Sequence, residues 1–80
     1  MEDGLLNNIR IYPNPTNGTF TIEGIPEKIN VKVYNAFGRE VYQNEPNLPA
    51  KVDLSSQPKG IYFIKVETAT STFFKKLVIN

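Results

Sequence analysis

Cysteine, histidine and tryptophan are all missing from this 80-residue chain, and the first two absences remove most of the chemistry a small domain can hold. Without cysteine there is no disulfide, no thiolate zinc site and no thiol nucleophile. Without histidine there is no imidazole base or metal ligand, and neither a Ser-His nor a Cys-His pair can form. The remaining acids are carboxylates, and they are scattered. Glu2 and Asp3 stand near the start and Glu45 in a proline-containing loop, while Glu23, Glu27, Glu40 and Glu67 fall at positions that read as solvent-facing or turn. Nothing in that spacing supports a two-carboxylate glycosidase cleft or a calcium-binding loop. A phosphate-cradling glycine loop is missing too, because the five glycines stand singly at turns. The chain reads as non-catalytic, with no cofactor or metal expected.

Charge of one sign is also lacking. Nine basic and eight acidic residues give a net charge of +1 and are interspersed, so there is no basic stripe for nucleic acid or an anionic membrane. No apolar run approaches the roughly 18–20 residues of a membrane-spanning helix. The opening "MEDGLLNN" has neither the basic start nor the apolar core of a signal peptide. If the domain is exported, its N-terminal signal is expected on a longer parent. The length fits one domain that buries about 60–65% of its unfolded surface, with a stability of roughly 5 kcal/mol.

What the chain does have is short stretches of alternation separated by turn residues. No segment keeps a 3.6-residue apolar period, so no helix is expected. Strands are expected at Ile9–Tyr12, Thr19–Glu23, Lys28–Tyr34, Arg39–Gln43, Lys51–Leu54, Gly60–Thr68 and Thr72–Ile79. In "KINVKVY" Ile29, Val31 and Val33 take one face and Lys28, Asn30 and Lys32 the other. "NAFG" at 35–38 has Asn first and Gly fourth, the preference of a type I turn, and makes 28–43 a hairpin. In "IYPNPTNGTF" (11–20) the prolines hold Tyr12 and Asn14 extended, and Asn17-Gly18 predicts a type I′ turn into the next strand. Seven short strands at this spacing predict an all-β, immunoglobulin-like antiparallel sandwich. Tyr62, opening a late strand whose inner face continues with Ile64 and Val66, fits either a tyrosine corner or a plain half-buried strand residue.

Four features leave a choice open. The nine aromatic residues, Phe20, Phe37 and Tyr62 among them, serve either as core or as a stacking platform for sugar rings. Adjacent Phe73 and Phe74 must point to opposite faces, which sends one of them out of a two-layer core. "FFKKLVIN" is a closing strand apolar on both faces. It is either the last strand of the core with Lys75 and Lys76 as gatekeepers, or an edge that a partner reads by strand addition. "NGT" at 17–19 fits a glycosylation acceptor, a weak three-residue match.

Taken in order, "YPNPTNG", "VKVYNAFGREV" and "VDLSSQPKGIYFIKVET…KKLVIN" resemble the C-terminal sorting domain of type IX (Por) secretion cargo from Bacteroidota bacteria. The resemblance covers about Ile9 to Asn80 and leaves 1–8 as linker from the parent protein. It implies a non-catalytic tail that directs an N-terminal passenger from the periplasm across the outer membrane to the cell surface or medium. The implied partners are an outer-membrane translocon or shuttle protein and a sortase-like cysteine peptidase. That peptidase would cut within 1–9 and attach the passenger to an anionic lipopolysaccharide. The motif positions carried over are Tyr12, Pro13, Asn14, Pro15 and Gly18; Gly38; Gly60 and Tyr62; and Lys75, Lys76, Leu77, Val78 and Ile79, the last group being where the translocation signal concentrates. From the residues alone, the alternative is a carbohydrate- or surface-binding adhesion module using Tyr34 or Tyr42.

Overall fold

The computed structural model describes residues 9–24 and 28–80. The linker expected over 1–8, the turn residue Pro26 and the carboxylates Glu2, Asp3 and Glu27 lie outside the described residues. The strands are β1 (Arg10–Tyr12), β2 (Thr19–Glu23), β3 (Asn30–Asn35), β4 (Glu40–Asn44), β5 (Ala50–Asp53), β6 (Gly60–Glu67) and β7 (Thr72–Ile79). Alternation places β2 and β7 to the residue and the others to within two, because strand ends are set by where pairing stops rather than by side-chain pattern. One sheet has the order β1-β2-β5 and the other β4-β3-β6-β7, every strand pair being antiparallel. This is an immunoglobulin-like sandwich, and β1 and β7 are sheet edges.

The core follows the period-two pattern. Phe20, Ile22, Val52 and Leu54 come inward from the smaller sheet, while Val31, Val33, Tyr62, Ile64, Val66, Leu77 and Ile79 come from the larger one. Each such side chain contributes about 1.5–3 kcal/mol on burial. Phe73 packs against this core and Phe74 points away from it, as adjacent strand positions require. Phe37 departs from the core reading: it stands 95% exposed at the tip of the β3–β4 hairpin. There the Gly38 amide donates to the Asn35 carbonyl (2.9 Å), and the Asn35 side chain accepts from the amides of Phe37 and Arg39. With both of its neighbours spent on that turn, residue 37 has no core to reach.

Between β1 and β2 the chain does not make the expected two-residue turn. Pairing of β1 ends at Tyr12↔Thr21, and the residues after it run across to the other sheet. Pro13 and Pro15 carry no N–H and cannot extend a ladder, so the segment takes its hydrogen bonds elsewhere.

Tyr62 forms the corner. Buried to 3% exposure, it donates its hydroxyl to the carbonyl of Pro58 at 2.5 Å, tying the loop after β5 to the start of β6. Tyr62→Phe is expected to lower the unfolding free energy by about 1–2 kcal/mol. Urea denaturation should show a lower midpoint with an unchanged slope; an unmoved midpoint would mean that the corner adds nothing.

Candidate functional site

The loop from Pro13 to Gly18 reaches over the open side of the sandwich and lies along β7. Asn14 acts there as a substitute peptide unit. Its Nδ2 donates to the carbonyl of Lys76 (2.8 Å), and its Oδ1 accepts the amide of Val78 (3.1 Å). Two residues on, the Thr16 amide donates to the Val78 carbonyl and the Asn80 amide donates to the Thr16 carbonyl, both at 2.8 Å. Thr16 and Ile79 thus form a parallel bridge. Four bonds cover the edge of β7 from Lys76 to Asn80. Its other edge pairs along the full strand with β6.

This loop is held at both ends. Thr16 is 2% exposed; its Oγ1 donates to the Thr19 carbonyl (2.7 Å) and accepts from the Gly18 amide (3.0 Å). Gly18, with φ at +123°, passes so close to the loop after β5 that a Cβ would lie 2.8 Å from Cα of Ser55. Its carbonyl accepts the Leu54 amide. The positive φ and the contact with backbone both demand glycine here. Beside it, the hydroxyl and amide of Ser55 bond to Asp53 and hold its carboxyl below the usual carboxylate range. A lowered native pKa means this turn contributes at neutral pH and loses its contribution as pH falls through that native value.

All the motif positions but Gly38 fall into two groups. Asn14, Gly18, Gly60, Tyr62, Leu77 and Ile79 are structural. Asn14 and Gly18 anchor the loop, and Gly60↔Ile79 and Tyr62↔Leu77 are direct partners across β6 and β7. Tyr12, Pro13, Pro15, Lys75 and Lys76 are exposed and Val78 half-buried. Tyr12 donates its hydroxyl to Glu23 (3.2 Å), and Arg10 pairs with the same carboxylate (3.4 Å). Pro13 and Pro15 both follow cis bonds. Gly38 stands apart, at the hairpin turn with φ +86°. Sequence reasoning missed Thr16, whose only local mark is a hydroxyl two residues before a glycine, an ST-turn pattern.

Leu77 and Ile79 of the closing strand are in the core and the edge beside them is covered, which is the core-strand reading for that half. One expectation is corrected. Tyr34 and Tyr42, the rings on which the carbohydrate-binding alternative drew as exposed, are half-buried, and Tyr42 packs against the core. Among the described residues, no three Asp or Glu side chains gather where they could hold a metal ion, and no helix is long and apolar enough to cross a membrane.

Residues 10–80 match the family model of the secretion system C-terminal sorting domain. The chain belongs to this family. No individually curated protein matches it. The family is a type IX secretion C-terminal sorting signal, a non-catalytic secretion tag, and membership implies interaction with the type IX machinery and export to the cell surface or the extracellular space. Two of the segments quoted for the resemblance, "YPNPTNG" and "KKLVIN", are strips of chain that the structure hydrogen-bonds together.

Asn14→Ala is expected to destabilise the domain by about 0.5–1.5 kcal/mol, since it removes two solvent-exposed hydrogen bonds to β7. Asn14→Asp keeps the acceptor for Val78 and sets a carboxylate against the Lys76 carbonyl, so the loss is expected to persist. Hydrogen exchange at the Val78 amide should report which bond remains, with protection lost in Asn14→Ala and partly kept in Asn14→Asp.

Proposed function

We propose that residues 9–80 are the address by which a passenger on the N-terminal side is carried from the periplasm through the outer-membrane type IX translocon. In this reading the folded sandwich docks on a shuttle or translocon protein through the β7 side. A sortase-like cysteine peptidase then cuts within 1–9 and transfers the passenger to an anionic lipopolysaccharide. The family match over 10–80 carries the reading. It is supported by the placement of the exposed motif residues: Pro13 and Pro15 flank the Asn14 bridge, and Lys75 and Lys76 lie on the strand it holds. A small sandwich with its polar groups spent on its own loops is suited to being bound rather than to acting.

The test is export of a reporter fused to residues 9–80 in a type IX-competent host. The fusion is expected in the medium or on the surface. Removal of Lys75–Asn80 is expected to leave it in the periplasm, but that deletion also takes Leu77 and Ile79 out of the core. The double variant Lys75→Ala, Lys76→Ala changes only exposed side chains. It should melt like the parent while its secreted fraction falls several-fold. Undiminished export from both variants would sink the assignment of the signal to this strand.

A further inference from the structure

Strand β7 has two unlike halves along its outer edge. From Lys76 to Asn80 that edge is closed by Asn14 and Thr16. The β6–β7 register is regular from Gly60↔Ile79 to Glu67↔Thr72, so backbone groups alternate in direction without interruption. Because Val78 gives its amide and carbonyl to the loop, the even-numbered residues are the ones facing outward. The amides of Phe74 and Lys76 and the carbonyls of Thr72 and Phe74 therefore point away from β6, and among the described residues no hydrogen bond reaches them.

Beside this open half lies a cleft of about 240 Å³ between the edges of the two sheets. Ile9 and Ile11 wall it on one side, Ile64, Val66 and Phe73 on the other, and Lys75 stands at its rim. Phe74, 65% exposed, faces outward over the same stretch. The segment "TFFKK" carries two positive charges and no negative one; across from it on β6, Lys65 faces Phe74 and Glu67 faces Thr72, so the positive charge gathers at the Phe74–Lys76 end.

We propose that Thr72–Lys76 accepts an extended acidic–apolar segment of a partner protein as an added strand. One apolar side chain of that segment enters the cleft between β1 and β7, and a carboxylate meets Lys75. The inference rests on the sorting-domain reading and says where on β7 the partner lies. Unpaired backbone along one strand calls for another strand, and the adjoining pocket supplies side-chain selection. The charge decides the occupant. A second copy of this chain would bring the same lysines to the edge, the arrangement by which edge strands discourage self-pairing, whereas an acidic strand is drawn to them.

Phe74→Pro separates this from the alternatives. Its lost amide faces outward, so the β6–β7 ladder stays whole and an edge strand tolerates the substitution. Phe74→Thr is the control that removes the ring and keeps the amide. With both variants matched to the parent in thermal unfolding, the reporter fusion carrying Phe74→Pro is expected to lose most of its export and Phe74→Thr to retain the larger share. Lys75→Glu is expected to reduce export several-fold. Hydrogen exchange on the isolated chain should show fast-exchanging Phe74 and Lys76 amides. Parental export from a folded Phe74→Pro fusion overturns the proposal, and a parent fusion that is never exported overturns the sorting reading instead. A concentration-dependent dimer abolished by Phe74→Pro would make a second copy the occupant. Protection at Phe74 that disappears when 1–8 are deleted would make it this chain's own leading segment; either result overturns the proposal.

Discussion

The pairing of Asn14 and Thr16 with β7 holds the sandwich shut, and the other features around it follow from that contact. Two sheets of unequal width meet at an open side where β1 and β7 are both edges. A strip of three residues crosses that side and makes four hydrogen bonds to backbone between Lys76 and Asn80. The prolines on either side of Asn14 keep the strip extended and leave no competing amide. The asparagine side chain has the same donor and acceptor as a peptide bond, so it completes a ladder that proline could not. Thr16 and Gly18 then fix the strip to the smaller sheet. The loop thus belongs to both sheets.

That closure sets what the surface can offer. An open strand edge is a hazard in any small β-protein, and here half of one is covered by the chain itself while the other half is guarded by lysines. Leu77 and Ile79 are withdrawn into the core, so recognition of this strand must use its backbone edge, its outward side chains or the cleft beside it. Of the exposed aromatics, Phe37 stands at the β3–β4 tip and Phe74 on the opposite edge strand, with Phe63 on β6 and Tyr12 on β1.

Much of the fold was legible in the sequence. Alternation in "KINVKVY" and "IYFIKV" put Val31, Val33, Tyr62, Ile64 and Val66 on inner faces, because side-chain direction in a strand has a fixed period. The "NAFG" turn was legible because its hydrogen bonds close within five residues. Asn17-Gly18 misled for the opposite reason. Its local chemistry suits a tight turn, yet the bonds that place it run to Leu54 and, through Asn14, to residues more than sixty positions away. No local pattern encodes a partner at that distance. The motif positions were found through resemblance; their division into anchors and exposed residues needed coordinates, since Leu77 and Lys76 differ only in which face of one strand they take.

The span of the Thr16–Ile79 bridge also orders events in time. A ribosome reaches Thr16 early and Ile79 near the end of this stretch, and non-local pairings of this kind form slowly because the intervening chain must first be brought together. Until β7 has emerged, Tyr62 and Ile64 have only their β3 partners, and the strip around Asn14 lacks its bonds to that strand. A chain broken off before Leu77 therefore presents no finished sandwich. The sandwich is complete only when β7 has joined it, because that strand brings Leu77 and Ile79 to the core and the bonding partners of Asn14 and Thr16.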